Sequence, residues 1–574
     1  MTFCFKEKPR TIVYKKVLKR GFMLGALFAV MTLNSVLAAG PPNTADVEEQ
    51  NRRARQAAEE RQVRDTQQDV HLQQGKRSDN DSSLPEENPS FVINKISLEG
   101  DKIEKFPWAT KMLKKYQGRK IGLKGINLIV KRLINEFIDR GYVTTRVVIP
   151  EQNISNGELK LVLVPGIIRS IRFEETSFWN NWETAFPARP GDILNLRRLE
   201  QGLEQLKRVP SQDVDMKLVP GGKPGETDVV IAVKRTKTCK GVLSLDDAGT
   251  KATGKLQAAQ TFAVDNLFGI NDLFNIAFNN DAQCEGPKLG TRGDSVYYSF
   301  PYGESTFTLF SSRYCYHQTV TASANSFISS GESNNLEFKI SQLMYRDQSQ
   351  KTYMDFGIVK KSSSSYIDDT EIEVQRKHTT AAKLGINHRH YFGKAILDVT
   401  LTYKRGMPWF GAQNDSTATD NQTTRYNMGL AEINFATPVI FGKTKGRYKL
   451  TLYGQYTKDA LYQTDMLSIG NRYTVRGFDG EQTLYAEKGW FMENDLSLPV
   501  GGFGMESYVG LDCGAVSGPN TQNLTGRILA GTVVGLRGGN KSVQYDVFAG
   551  WALRKPEGFA TAKPTFGFQL IYQM

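Results

Sequence analysis

From about residue 237 to the end of the chain, apolar and polar positions alternate with a period of two. Leu397, Val399, Leu401 and Tyr403 interleave with Asp398, Thr400, Thr402 and Lys404. Leu450 and Leu452 interleave with Lys449 and Thr451. Phe566, Phe568, Leu570, Tyr572 and Met574 interleave with Thr565, Gly567, Gln569, Ile571 and Gln573. Successive side chains of a strand point to opposite faces, so the pattern describes sheets with one apolar and one polar face. Sustained over roughly 340 residues, it predicts a transmembrane antiparallel β-barrel, apolar toward lipid and polar toward a lumen. At roughly 20 residues per strand plus connection, residues 237–574 hold about 16 strands. A soluble sandwich or propeller would also alternate, but an export signal and aromatic-rich strand ends favour the membrane.

Upstream the pattern changes. In residues 91–165, Ile126, Ile129, Val130, Leu133, Ile134 and Phe137 mark one face of a helix that stops near Gly141. Strands are predicted at Phe91 to Leu98, Tyr142 to Ile149 and Glu158 to Val164, the last two around Asn156-Gly157. Leu133 and Tyr142 read as core. Residues 166–236 repeat the plan: a strand over Ile167 to Phe173, a helix marked by Leu196, Leu199, Leu203 and Leu206 with Asn195 as N-cap, then strands Val214 to Leu218 and Asp228 to Val233. Two α+β units of about 70 residues therefore precede the barrel.

The N-terminus reads as a leader. Seven Lys/Arg residues precede the apolar run Gly21 to Val30, and Val36-Leu-Ala-Ala39 offers a small-residue cleavage site. Residues 1–39 are thus a signal peptide. Their removal takes away seven bases and one acid and lowers the formal charge from +13 to +7, so much of the basic balance is a sorting signal. No basic–aromatic module points to nucleic acid. Residues 40–74 are polar all round with helical propensity, which fits either a helix that is solvated or sits in a polar channel, or a plainly disordered segment. Residues 75–90 read as a linker. No later apolar run reaches the 18 residues of a membrane helix.

Chemistry is sparse. Gly249-Thr-Lys-Ala-Thr-Gly-Lys255 has phosphate-loop glycines, but Leu256 follows where a Ser or Thr would hold magnesium. His388 and His390 share a strand face without further ligands. Cys239, Cys284, Cys315 and Cys513 lack CxxC spacing, so no structural zinc is expected, and an exported protein leaves a Cys284–Cys315 disulfide open. No catalytic constellation or cofactor motif stands out. The feature that does is Arg476, beside Gly477 and an aromatic, in Ile469-Gly-Asn-Arg-Tyr-Thr-Val-Arg-Gly-Phe-Asp-Gly-Glu481, and a lone Asp512 in Tyr508-Val-Gly-Leu-Asp-Cys-Gly-Ala-Val516. A buried charge is costly unless paired, which predicts one ion pair inside the lumen.

Several segments carry a family resemblance. Ile121-Gly-Leu-Lys-Gly-Ile-Asn127, Gly141-Tyr-Val-Thr-Thr-Arg146, Ile149-Pro-Glu-Gln152 and Leu161-Val-Leu-Val-Pro-Gly166 resemble the first POTRA domain of two-partner secretion transporters of the hemolysin-activator type. Asp265-Asn-Leu-Phe-Gly-Ile-Asn-Asp272 and Tyr298-Ser-Phe-Pro-Tyr-Gly303 resemble the family's early barrel segments, which singles out Asp265, Asn266, Gly269, Pro301, Tyr302 and Gly303. Val475-Arg-Gly-Phe478 is similar to its Val-Arg-Gly-Tyr motif, with Phe478 in place of tyrosine. Tyr545-Asp-Val-Phe-Ala-Gly550 and Lys555-Pro-Glu-Gly-Phe559 resemble late strands, and Met574 replaces the usual terminal phenylalanine.

The resemblance, spanning about residues 91–574, implies a 16-stranded outer-membrane barrel of a Gram-negative bacterium. It implies periplasmic POTRA domains at 91–165 and 166–236 and a plug helix within 40–74. A loop near 465–485 would fold into the lumen, its Arg476 pairing with Asp512, flanked by Val475, Gly477, Phe478 and Gly514. The implied activity is secretion of one large partner protein with an N-terminal secretion domain: a hemolysin, an adhesin or a contact-dependent toxin. The partner would be caught by the POTRA domains and passed unfolded through the pore without ATP. Outer-membrane lipid and the barrel-assembly machinery complete the implied partners. A barrel-assembly factor also joins POTRA domains to a barrel, and a passive porin is a third reading. Two POTRA units and a polar leader helix favour secretion.

Overall fold

The computed structural model describes residues 50–52, 54–56, 58, 59, 61, 69–72, 83–175, 179, 181–286, 288–321, 326–415, 422–501, 504–519, 521, 524 and 526–574. The signal peptide expected at 1–39 lies outside them. Within 40–74, the described residues between 50 and 61 are helical, whereas 69–72 are not.

The first α+β unit contains β1 (Phe91–Ile93), β2 (Lys95–Glu99), β3 (Arg119–Ile121), β4 (Arg146–Val148) and β5 (Glu158–Val164), with helices Pro107–Lys114 and Leu123–Asp139. β1 pairs with β3, and a second sheet runs β2-β5-β4. The stripe Ile126, Ile129, Val130, Leu133 and Phe137 is buried against Leu159, Leu161 and Leu163 of β5. Gly122 at the start of the long helix has no side chain to cap it. Glu87 does so instead, accepting from the amides of Gly122, Lys124 and Gly125 at 3.0, 2.7 and 2.7 Å. The strand expected over Tyr142 to Ile149 shrinks to three residues. The Thr145 amide turns back to the Tyr142 carbonyl, and the Tyr142 ring packs edge-on against Phe106 at 5.0 Å. The Pro107–Lys114 helix escapes the sequence pattern because only Ala109 and Leu113 of its eight residues are buried.

The second unit comprises β6 (Ile167–Phe173), the helix Leu196–Lys207, β7 (Gln212–Pro220) and β8 (Glu226–Arg235), in sheet order β6-β8-β7. Asn195 caps its helix by accepting from the Arg197 amide at 2.9 Å.

The rest is a closed antiparallel barrel of sixteen spanning strands. They begin with β9 (Cys239–Asp246), β10 (Gln257–Asp265), β11 (Leu273–Asp281), β12 (Leu289–Tyr302), β13 (Ser305–Thr321), β14 (Ser326–Arg346) and β15 (Gln350–Ile367). A two-residue flap, β16 (Thr370–Glu371), pairs only with β15. Then come β17 (Lys377–Phe392), β18 (Ala395–Met407), β19 (Asn427–Phe441) and β20 (Thr444–Thr457). Two short loop strands, β21 (Leu467–Ile469) and β22 (Leu484–Ala486), form a separate pair. β23 (Lys488–Pro499), β24 (Glu506–Ser517), β25 (Ile528–Gly539), β26 (Val543–Arg554) and β27 (Thr565–Gln573) complete the barrel. Closure is the β27–β9 ladder, Gln569 opposite Asp246 and Tyr572 opposite Leu243. Leu401, Tyr403, Leu511, Val534, Trp551, Phe566 and Leu570 are exposed on the outer face, where an apolar girdle meets lipid. Asp246, Asp398, Lys404, Thr451 and Asp512 are buried on the inner face.

Tight turns such as Gly393-Lys394 and Gly442-Lys443 lie at the end next to the α+β units. The long connections 408–426 and 458–487 lie at the far end.

Candidate functional site

The 458–487 connection does not stand out into solvent. Its β21–β22 pair and the turn between them fold into the barrel, burying Ile469, Val475, Phe478 and Leu484 against Phe491 of β23, Val516 of β24, Leu529 of β25 and Phe559. Asn471 shapes the descent, its side-chain Oδ1 accepting from the Tyr473 amide at 2.9 Å and the Thr474 hydroxyl at 3.1 Å.

Arg476 sits at the bottom of this loop. Its Nε donates to Asp512 Oδ2 at 2.6 Å and one terminal nitrogen to Oδ1 at 2.9 Å, a two-pronged pair. The Arg476 amide also donates to Oδ2 at 3.0 Å. The remaining donors reach Asp495 Oδ1 and the Asn494 carbonyl, both at 3.0 Å. Asp495 in turn takes Arg537 at 3.4 Å. Asp512 is 1% exposed, so its charge is met almost wholly by protein donors.

The wall is shaped to admit this tip. A Cβ on Gly531 would fall 1.9 Å from the Arg476 carbonyl oxygen, and one on Gly510 2.5 Å from its guanidinium. A Cβ on Gly550 would meet the Gly477 Cα at 2.8 Å. Gly477 has φ +98° and lies against the Trp551 carbonyl, so a side chain there would be both strained and blocked. On Gly514 a Cβ would crowd Val475 at 3.1 Å. Phe478 is 2% exposed and packs edge-on against Phe559 at 5.7 Å, an apolar pocket that a phenyl ring fills without a hydroxyl.

The N-terminal helix also lies inside the barrel. Asn51 Nδ2 donates to the Gly480 carbonyl at 3.0 Å, and Asn471 donates to Asn51 Oδ1 at 2.8 Å. Thr483 donates to Gln50 at 3.3 Å. Arg55 pairs with Asp246 of β9 at 2.9 Å. Arg61 pairs with Glu493 of β23 at 3.7 Å, donates to the Tyr473 carbonyl, and lies 5.8 Å from the Phe491 ring centroid. The helix and the loop reach the same parts of the wall: Arg55 and Arg472 meet Asp246 and Asp247 at the end of β9, and Arg61 and Arg476 meet Glu493 and Asp495 of β23.

At the domain end, residues 69–72 are clamped between the second α+β unit and the barrel. The amides of Val70 and Leu72 donate to Glu204 and Glu200 of the Leu196–Lys207 helix at 2.7 and 2.9 Å. Arg346 of β14 donates to the Val70 carbonyl and pairs with Glu204 at 2.8 Å. Lys351 of β15 bridges Asp69 at 2.5 Å and Glu204 at 2.8 Å. Arg389 of β17 joins Asp69 at 2.9 Å to Asp398 of β18 at 2.6 Å. Burial pushes the Asp69 carboxyl up, but the charges of Lys351 and Arg389 outweigh it and hold it at about 2. Glu204 is likewise held below its ordinary range by Lys351 and Arg346 against the opposing effect of burial. The Val70 side chain completes the core of the second unit.

The early barrel motif lies at the same junction, not in the lumen. Asp265 accepts from the Ser211 amide at 2.8 Å and faces Lys240 at 3.6 Å. Asn266, at φ +57°, donates to the Trp179 carbonyl at 2.9 Å, and Gly269 closes its turn at φ +71°. Pro301 and Tyr302 end β12, and the Gly303 amide donates to the Thr184 carbonyl at 2.7 Å. These residues join barrel turns to the second unit.

Other sequence candidates carry no site. Cys239, Cys284, Cys315 and Cys513 are all free thiols, so the disulfide left open at Cys284–Cys315 is not formed. The His388 and His390 rings lie 6.1 Å apart, and His388 contacts Thr352. Among the described residues no group of three metal-ligating side chains occurs. The Gly249–Lys255 segment is a strand-to-strand turn whose Lys251 amide is taken by the Glu481 carboxylate at 3.0 Å. A phosphate cradle needs a helix N-terminus there instead.

Sequence reasoning missed Asp495, Asp246, Arg55, Arg61 and the clamp at 69–72. One signal was readable. Gly510, Asp512 and Gly514 share one strand face, as do Gly531, Val533 and Gly535, and glycines on one face mark close backbone approach.

Comparison with known proteins gives concordant results. Residues 225–538 match the family described as haemolysin secretion/activation protein ShlB/FhaC/HecB. Residues 91–166 match the ShlB-type POTRA domain and 167–220 a POTRA domain. The chain is 39% identical to the outer membrane transporter CdiB-2 of Burkholderia pseudomallei (strain 1026b), over 96% of this chain and 99% of that one. It is 29% identical to the hemolysin transporter protein ShlB of Serratia marcescens, over 75% and 77%. The solved structure of CdiB from Acinetobacter baumannii superposes with a TM-score of 0.84 at 27% identity, over 93% of this chain and all of that one.

Proposed function

Because the chain belongs to the haemolysin secretion/activation family of outer-membrane transporters that secrete a partner protein, we propose that it moves one large partner as an unfolded chain through the lumen described above. The POTRA domains, which face the periplasm in this family, take the partner's N-terminal secretion domain. An extended segment adds to an exposed sheet edge through backbone hydrogen bonds, with β2 and β4 as the edge strands of one three-stranded sheet and β6 and β7 as those of the other. The N-terminal helix then leaves the lumen, the partner passes, and it folds outside. Folding on the far side prevents return and supplies direction without ATP.

In this reading the segments are a signal peptide to residue 39, a plug helix and linker to 90, POTRA domains at 91–165 and 166–236, and the barrel from 237. Arg476 and Asp512, with Val475, Gly477, Phe478 and Gly514, hold the loop as a latch. Asp265, Asn266, Gly269, Pro301, Tyr302 and Gly303 keep the barrel turns joined to the second POTRA domain. The protein performs no catalysis, uses no cofactor and binds no nucleic acid. Lipid surrounds it, and the barrel-assembly machinery receives its last strand, β27. The partner is a hemolysin, an adhesin or a contact-dependent toxin.

The observation carrying this reading is a polar helix held in the lumen by ion pairs and joined through residues 69–72 to a POTRA domain. A lumen closed by a removable segment suits a chain conductor better than a porin. The test is secretion of a co-expressed large candidate partner, with and without the chain. Loss of the secreted protein without it supports the reading, and unchanged secretion overturns it.

A further inference from the structure

The carboxylates that line this lumen fall into two groups. Asp512, Asp495 and Asp247 take arginines that belong to the folded-in loop, Arg476 and Arg472. Asp246 and Glu493 take Arg55 and Arg61, which belong to the N-terminal helix. If that helix withdraws, the first group keeps its direct ion pairs and the second loses them, leaving Glu493 the more distant charges of Arg476 and Lys449 and Asp246 that of Arg472. Asp246 is almost fully buried, and its Oδ2 has no hydrogen-bond partner beyond the ion pair with Arg55. A carboxylate so placed is costly until another cation arrives.

The second site is built for a guanidinium. Beside Glu493 stand the Phe491 ring, 5.8 Å from the Arg61 guanidinium carbon, and the Tyr473 carbonyl, 3.4 Å from a terminal nitrogen. An aromatic face, a carboxylate and a carbonyl favour planar, multi-donor Arg over Lys.

We propose that Asp246 and Glu493 are docking sites for arginines of the secreted partner, and that the N-terminal helix occupies them as an internal stand-in for that partner. This rests on the translocation reading above and names the chemistry that reading leaves open: short cationic segments in extended conformation. The spacing follows from geometry. Arg55 and Arg61 are six helical residues apart, about 9 Å along the axis at about 1.5 Å per residue. An extended chain covers that distance in about three residues at about 3.3 Å each. The matching partner segment therefore carries arginines at i and i+3. The partner does not need to pull the helix away. It takes the sites whenever the helix leaves them and so delays its return.

The test uses the full chain and a variant with residues 50–61 replaced by a Gly/Ser linker, each in planar bilayers. Decapeptides are added on the POTRA side: one with arginines at i and i+3, one with lysines there, one with glutamines there, and one with adjacent arginines. We expect the i, i+3 arginine peptide to block the current of the linker variant at about tenfold lower concentration than the glutamine peptide. Lysine and adjacent arginine should fall between. Asp246→Asn with Glu493→Gln should abolish the difference, and the unmodified chain should show little block. Equal block by arginine and glutamine peptides, or a preference that survives both substitutions, overturns the proposal. Secretion of the partner is measured in parallel. If it still depends on this chain while the peptides show no preference, only the docking sites are refuted. If it does not depend on the chain, the translocation reading falls as well.

Discussion

Arg476→Ala removes the cation between two wall carboxylates. Asp512 keeps only the amides of residue 476 and Asn494, at 3.0 and 3.1 Å, and Asp495 keeps Arg537 at 3.4 Å. Leaving one partner of a buried pair uncompensated costs about 3–5 kcal/mol. Val475 and Phe478 hold the same loop by burial, worth about 1.5–3 kcal/mol each. The loss is thus comparable to the apolar grip at the loop tip, so the docked state becomes marginal. The barrel is held by its own ladders and should be unaffected. The assays are the heat-dependent gel mobility of the barrel, proteolysis of the 458–487 loop, and secretion. Barrel abundance should stay near normal, proteolysis should rise, and secretion should fall. Asp512→Asn alone should act in the same direction. The double variant, with no orphaned carboxylate at 512, should be less damaging than the sum by about 2 kcal/mol in loop docking. Wild-type secretion in Arg476→Ala would refute a functional latch and leave the pair a fixture. Additive effects would refute the pairing.

Gly531→Ala places a methyl 1.9 Å from the Arg476 carbonyl oxygen and should expose the loop to protease although no charge has changed; unaltered proteolysis would contradict the glycine seat. Asp69→Asn, which weakens the pairs with Lys351 and Arg389, should raise spontaneous channel opening, read as single-channel current, by loosening the linker behind the plug helix. The pH dependence follows from the same group. Its pKa falls from 3.8 to about 2 on folding, so its contribution is full above about 4 and is lost as pH falls through about 2. The shift corresponds to about 2 kcal/mol, and opening in the unsubstituted chain should therefore rise in that acid window, with Asp69→Asn flattening the response. Asp265→Asn should loosen the second POTRA domain from the barrel by about 1–2 kcal/mol, measured as a broader distance distribution between spin labels on the two.

Much of this architecture was legible because two simple periods carry it. The period of two in Leu397 to Lys404 and in Thr565 to Met574 reports lipid on one face and lumen on the other. The stripe from Ile126 to Phe137 reports a helix against a sheet. Asp512 stood out because a single charge in an apolar strand demands a partner, and Arg476 because it sits in the Val475-Arg-Gly-Phe478 motif. The clamp at 69–72 was hidden because Glu200, Glu204, Arg346, Lys351 and Arg389 are ordinary polar residues until the chain brings five elements together. The helix Pro107–Lys114 was hidden because its buried face is only Ala109 and Leu113. Residues Asp265 to Gly303 were visible as a motif, but their place at the domain junction was set by long-range contacts such as Gly303 with Thr184.

The central claim, that the partner travels through this lumen, is tested most directly by crosslinking. A partner fused to a tightly folded C-terminal domain would stall in transit. A photoreactive residue is then placed either at inward Thr451 or at outward Leu511. The account predicts a crosslink to the stalled partner from position 451 and none from 511. Crosslinking from 511, or from neither position while the stalled partner reaches the surface, would contradict it.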